Sequence, residues 1–339
     1  MKILFIGGTG TISSACAQLA LERGFELTLL NRGRQPARTG ARQITADIGN
    51  IAAMAAALDD EHWDVVVDFI AYTLVDVEQR IVFFRGRMAQ FIFISSASAY
   101  QKPPAHFPIT ESTPLVNPFW DYSRNKIACE ERLLRALQEE NFPVTIIRPS
   151  WTYDERRITV PVNSKKSFTV LDRLRRGQPV VVPGDGTSLW TMTHNTDFAK
   201  GLVGLLGHQG AIGHAFHITS DEVLTWNQIY ETVAEAAGVP KPILVHIASD
   251  FITACLPEFA GGLHGDKSYS AVFDNSKIKR FVPDFVATTR FRDGMARCVK
   301  WFDADLARQE IDAEANAAWD KLIAAYERGL EAARWEFGR

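Results

Sequence analysis

Cysteine is scarce in this 339-residue chain, at four positions. Cys16, Cys129, Cys255 and Cys298 lie far apart, none belongs to a Cys-x-x-Cys pair, and the histidines do not cluster. That spacing excludes a zinc knuckle or a disulfide framework and fits a reducing compartment, so a cytoplasmic location and no metal are expected. An excess of one charge sign is also missing, since 37 Lys and Arg face 40 Asp and Glu for a formal net charge of −3. No global positive field therefore draws the chain to nucleic acid or to an anionic membrane. Apolar runs are short. Only Ile3 to Ile6 precede the first glycine pair, too few for the core of a secretory signal, and nothing approaches the length of a membrane span. With 46% apolar and 23% charged side chains, what remains is a globular chain long enough for one large domain or two ordinary ones.

The pattern along the chain alternates. Ile3 to Ile6 reads as a strand, Gly7-Gly8-Thr9-Gly10 as a turn, and Ile12, Cys16, Leu19 and Ala20 recur at helical spacing up to Gly24. Strands follow at Leu27 to Leu30, Val65 to Ile70, Phe91 to Ile94 and Val144 to Ile147, with helices at Ile51 to Leu58, Val75 to Phe84 and about Tyr122 to Glu140. Strands without a polar face belong inside a parallel sheet, so the fold class is α/β, a Rossmann-type doubly wound sheet covered on both sides. After Arg148-Pro149 the rhythm breaks and basic residues gather at Arg156, Arg157, Lys165, Lys166, Arg173, Arg175 and Arg176. Residues 1–155, with returning segments near 187–220, are expected to form the dinucleotide-binding domain. Residues 156–186 and 221–312 would form a smaller substrate-binding region, and 313–339 a C-terminal helix with Trp319, Leu322, Ala325 and Tyr326 on one side.

The glycine turn sits where a dinucleotide pyrophosphate would meet a helix N-terminus, which assigns Gly7, Thr9, Gly10, Thr11 and Ile12 to a cofactor site. Ser13 takes the place of the third glycine. An NAD site usually carries Asp or Glu at the end of the second strand. Here Asn31-Arg32-Gly33-Arg34 stands there, and guanidinium groups favour a 2′-phosphate, so NADP(H) is expected, with NAD(H) as the alternative. Asp47 and Ile48 are placed to meet the adenine. Ser95-Ser96 falls at the carboxyl end of a central strand, the rim where ligands bind in such sheets. Tyr122 and Lys126, four apart on one helix, share a face. A nearby ammonium would lower the phenol toward working pH, and Ser96, Tyr122 and Lys126 beside a nicotinamide constitute acid/base machinery for alcohol and carbonyl interconversion.

On these motifs, with Arg148-Pro149-x-x-x-Tyr153 and Pro183-Gly184-Asp185-Gly186 leading to His194-x-x-Asp197, the chain resembles the extended short-chain dehydrogenase/reductase family to about residue 302. The resemblance implies that Ser96 bonds the reacting oxygen, Tyr122 exchanges its proton, and Lys126 holds the nicotinamide ribose while biasing Tyr122. Ala71 and Pro149 complete the expected cofactor set. Ser98, Tyr100, Trp151 and Trp190 are the expected substrate contacts. His194 reads as a structural residue, and His214 and His217 point to opposite faces of a strand.

Departures narrow the reading. Dehydratases of the family carry an acidic pair after the catalytic Ser, whereas Ala97-Ser98-Ala99 has none. Epimerases usually place a phosphate-gripping Arg where this chain has Trp190, and a second near Leu263-His264-Gly265-Asp266, where only Lys267 is close. An epimerase or oxidoreductase for a sugar-like or polyhydroxylated substrate is expected. The alternative, which the missing arginines favour, is a carbonyl reductase or alcohol dehydrogenase for a small non-nucleotide molecule. A third reading, RNA binding like that of the chloroplast stem-loop-binding relatives of this family, is opposed by the net charge and by the complete Ser96, Tyr122, Lys126 set. The partner is thus a small-molecule substrate, with no membrane and no nucleic acid, and a homodimer is left open.

Overall fold

The computed structural model describes residues 1–33, 39–59 and 61–338. Its first half builds β1 (Lys2–Ile6), α1 (Thr11–Glu22), β2 (Glu26–Asn31), β3 (Arg42–Thr45), α2 (Ile51–Leu58) and β4 (Trp63–Asp68). Next come α3 (Leu74–Phe84), β5 (Met88–Ile94), α4 (Asp121–Glu140) and β6 (Val144–Pro149). A seventh strand, Ala215–Ile218, closes a parallel sheet in the order Ala215–Ile218, β6, β5, β4, β1, β2, β3. The order reverses between β1 and β4, which opens a crevice at the carboxyl ends of these strands.

Side chains alternate across each strand, and both faces are buried. Ile3, Phe5, Val65, Val67 and Ile92 pack with α1 and α5 (Asn195–Gly204) through Cys16, Ala17, Phe198 and Leu202. Leu4, Ile6, Val66, Phe91 and Phe93 pack with α2, α3 and α4 through Met54, Ile81 and Leu133. This is the continuous apolar reading expected of interior parallel strands. A separate core forms beyond the sheet, around Tyr153, Leu171, Val181, Trp190, Trp226, Ile229 and Phe291, and the helix Ala313–Glu336 closes it with Trp319, Leu322 and Ile323. Among the described residues no helix is long and apolar enough to cross a membrane.

Strand β4 stops two residues before the expected Ile70. The Asp68 carboxylate accepts from the Ile70 and Ala71 amides at 2.8 and 2.9 Å, which turns the chain out of the sheet, and Arg80 Nε closes the buried group at 2.8 Å. A second buried pair joins the sheet to α4, where Arg148 at the end of β6 grips Glu130 with contacts as short as 2.6 Å. Removing one partner of such a pair strands a charge in the interior. Glu130→Ala should therefore lower unfolding stability by about 3 to 5 kcal/mol in urea denaturation. A loss below about 1 kcal/mol, the worth of a surface ion pair, would show that Arg148 is compensated in another way.

Candidate functional site

The turn after β1 runs through Gly7 and Gly8 at φ +108° and +100°. A Cβ on Gly8 would lie 2.6 Å from Leu29 Cδ2, so only glycine brings the backbone this close to the sheet. Gly10 then starts α1 without a side-chain cap, leaving the first-turn amides, those of Thr11 and Ile12 among them, to an anion. At the end of β2, Asn31 Oδ1 accepts from Gly33 and Gln43, whereas its Nδ2 is buried with no partner. An orphaned donor at that place suits a ribose hydroxyl or phosphate oxygen. The cradle therefore fits the expected dinucleotide. Thr9 is half-buried and Arg32 exposed, and Arg34 lies outside the described residues. Asp47 is exposed and turned onto the Gly49 amide at 3.1 Å, and the Ile48 carbonyl accepts from Arg80 at 3.2 Å.

The acid/base candidates meet where β5 ends. Ser96 begins a short 3-10 turn, Ala97–Ala99, accepting from the Ser98 amide at 3.2 Å and meeting the Ser98 hydroxyl at 2.9 Å. Ser123 on α4 donates to the Ser98 hydroxyl at 2.8 Å, which leaves the Ser98 proton for Ser96 and the Ser96 proton for a ligand. Lys126 is buried, and its ammonium donates to the carbonyls of Ala71 and Ile94 at 2.7 and 2.8 Å. Ser96, Ser98, Tyr122, Pro149, Trp151 and Trp190 line one cavity of about 600 Å³, and Ile12 of the cofactor helix borders it too.

The electrostatics correct one expectation. Burial pushes the Tyr122 phenol up to about 12, and the group working against that rise is Ser96. Lys126 sits 5.9 Å from the centre of the Tyr122 ring with two of its three protons spent on carbonyls, so it does not draw the phenol down here. Burial also brings Lys126 itself down to about 8.

Tyr100 is a second correction, because it does not reach the cavity. Leaving the 3-10 turn its backbone bridges to Leu115, and its side chain goes inward beneath Arg148, where the hydroxyl meets His217 Nδ1 at 3.0 Å. His217 Nε2 donates to the Asp274 carbonyl, so it accepts from Tyr100. Trp190 is in the cavity wall, but its indole N–H is committed to the Tyr269 carbonyl at 3.0 Å, so it offers only its face. His194 caps α5 and bonds Thr196 and Glu155, a structural set. The basic run disperses into pairs: Arg173 with Asp320, Arg175 with Asp303, Arg176 with Asp172, Lys166 with Glu310. Of that run only Arg157 lines the cavity. Lys102, Trp120 and Asp266 line it as well, unforeseen because an isolated lysine or tryptophan carries no local signal.

A doubly wound sheet with a pyrophosphate-ready glycine turn and a Ser, Tyr and Lys set at its rim defines a nicotinamide-dependent enzyme. The chain belongs to the NAD dependent epimerase/dehydratase family, whose model matches residues 3–219. Among curated proteins it is 28% identical over 261 residues to the chloroplast stem-loop binding protein of 41 kDa b of Arabidopsis thaliana, covering 72% of this chain and 65% of that protein, just under two thirds. It is 24% identical over 290 residues to the 2'-dehydrokanamycin reductase of Streptomyces kanamyceticus, covering 84% and 80%. The solved epimerase Mth375 of Methanothermobacter thermautotrophicus superposes with a TM-score of 0.75 at 15% identity, over 90% of this chain and 93% of that one, a likeness of fold.

The Tyr122 phenol gives a direct check. Absorbance titration at the phenolate band, wild type minus Tyr122→Phe and without cofactor, should show no Tyr122 ionisation at about pH 10, where an ordinary phenol is half ionised. A Tyr122-dependent phenolate at or below that pH would refute the dominance of burial.

Proposed function

We propose that this enzyme moves a hydride at a carbinol or carbonyl carbon of a sugar-like or polyhydroxylated substrate, with Tyr122 as acid/base. The observation that carries the reading is the convergence of the Ser96 and Tyr122 hydroxyls on one cavity that Ile12 of the cofactor turn also borders. A nicotinamide dinucleotide, when bound, supplies the hydride acceptor or donor. Ser96 donates a hydrogen bond to the substrate oxygen, and Tyr122 gives that oxygen its proton or takes it. Lys126 anchors α4 to the carbonyls of Ala71 and Ile94 and keeps one N–H for the cofactor ribose. A phenol raised to about 12 is protonated at neutral pH, the form that donates to a carbonyl oxygen undergoing reduction.

That protonation state and the absence of any arginine, among the described residues, from the buried part of the wall favour the second reading, net reduction of a small non-nucleotide ketone, over epimerisation of a nucleotide sugar. The name of the Streptomyces relative, a 2'-dehydrokanamycin reductase, supports reduction as the reaction class, though not the substrate. A substrate screen read at the nicotinamide absorbance separates the two, since reduction consumes cofactor and epimerisation does not. RNA binding, which the name of the Arabidopsis relative would suggest, is disfavoured by the formal net charge of −3 and by the Ser96, Tyr122 and Lys126 set. Tyr122→Phe should cut turnover by roughly 10²- to 10⁴-fold while leaving cofactor affinity within a few-fold, as expected for a positioned acid/base. Near wild-type turnover would mean that Tyr122 is not the acid/base.

For the cofactor we propose NADP(H), because the end of β2 presents Asn31 and Arg32 and no carboxylate. Replacing both Arg32 and Arg34 by Ala should weaken NADPH by roughly 1.5 to 3 kcal/mol, the worth of charge-assisted bonds, and NADH much less. Calorimetric titration of both cofactors decides it, and equal losses would overturn the preference.

A further inference from the structure

Part of the cavity wall is built for more than shape. The chain from Leu263 to Lys267 forms one π-helical turn, a rare geometry that tends to mark functional sites. Gly265 lets Trp120 lie directly on this turn, since a Cβ there would stand 2.6 Å from Trp120 Cβ. Asn117 Nδ2 donates both to the Gly265 carbonyl at 2.7 Å and to the Ser98 carbonyl at 2.8 Å, fastening the turn to the loop that carries Ser96. Trp226 Nε1 pins the Lys267 carbonyl at 2.9 Å. So held, Asp266 takes two ammonium groups, Lys102 at 3.1 Å and Lys267 at 3.8 Å, and the Lys102 side chain is only 2% exposed. The Lys267 ammonium also lies 4.8, 5.4 and 6.0 Å from the ring centres of Trp151, Trp120 and Trp190.

The charge count is unbalanced. Among the described residues Lys102, Arg157 and Lys267 line the cavity against Glu258 and Asp266, three positive charges to two negative. Arg157 and Glu258 are exposed, whereas the buried part of the wall holds two ammonium groups for one carboxylate. Desolvating a cation without a full partner costs several kcal/mol, and the indole faces around Lys267 offset only part of that. We infer that the cavity takes the carboxylate of an acidic sugar-like substrate between Lys102 and Lys267, on the same molecule whose carbinol or carbonyl meets Tyr122. This rests on the reading of the cavity as the substrate site. One carboxylate balances the one surplus charge. A diphosphate carries more charge and is best met by guanidinium forks, which the buried wall lacks among the described residues. An amino sugar brings a further cation to two that already repel.

Binding to the cofactor-loaded protein tests this without turnover. D-galacturonate, D-galactose, D-galactosamine, galactose 1-phosphate and UDP are titrated in turn, followed by calorimetry and by tryptophan fluorescence from the indoles that ring Lys267. Galacturonate should bind at least about tenfold tighter than galactose, or about 1.4 kcal/mol, and galactosamine more weakly than galactose. Lys102→Met and Lys267→Met should each erase the preference, and Lys267→Arg should restore most of it. Tyr122→Phe should keep it, so loss of turnover and loss of acid recognition are read separately. Equal binding of galacturonate and galactose, tighter binding of galactosamine, or tighter binding of galactose 1-phosphate or UDP than of galacturonate would each overturn the inference. So would a galacturonate preference retained in both methionine variants.

Discussion

The site depends on the register of one helix against the end of one strand. Tyr122, Lys126 and Glu130 stand four residues apart on α4 and share a face. Each engages the β5 terminus: Tyr122 meets Ser96, Lys126 donates to the Ile94 carbonyl, and Glu130 accepts from Ser95. Arg148 from the neighbouring strand locks Glu130 from behind. All of these groups are polar and largely removed from water, so a slip of α4 by one turn would strand several buried polar groups at once. The separation between the Ser96 and Tyr122 hydroxyls is thereby tied to the core, and a reaction that tolerates little misplacement gains a rigid base.

A second set of buried charges carries this order to the loops. Arg80 holds Asp68, Asp68 holds the amides of Ile70 and Ala71, and the Ala71 carbonyl receives Lys126. The cofactor turn touches the same loop, since a Cβ on Gly7 would meet Ile70 Cγ2 at 3.3 Å. Glycine turn, loop 69–71 and α4 are thus coupled by direct contact rather than through a long path. On the substrate side, Asn117 does the equivalent by bridging Ser98 and the π-helical turn. The cavity is a junction of three rigid pieces whose polar groups are mostly paired, and two of the exceptions, Asn31 Nδ2 and the surplus ammonium, lie where ligands are expected.

The sheet and its helices were legible from pattern. Apolar runs such as Val65-Val66-Val67 and the helical spacing of Cys16, Leu19 and Ala20 reflect local burial, and the observed strands and helices follow them within a few residues. Where the reading slipped, a side chain had replaced a backbone partner, as Asp68 did in ending β4. Ser96, Tyr122 and Lys126 were legible because their roles need fixed local spacing at a strand end and along one helix turn.

What the sequence determined by itself was the doubly wound fold, the glycine turn and the Tyr-x-x-x-Lys pair, since each is written in residues near one another in the chain. The tertiary structure alone decided that Tyr100 is a buried partner of His217, that burial outweighs Lys126 in setting the Tyr122 phenol, and that Lys102 meets Asp266 across more than 160 residues. Solvent exclusion and charge pairing are properties of a neighbourhood, and the members of these neighbourhoods become adjacent only when the chain has folded.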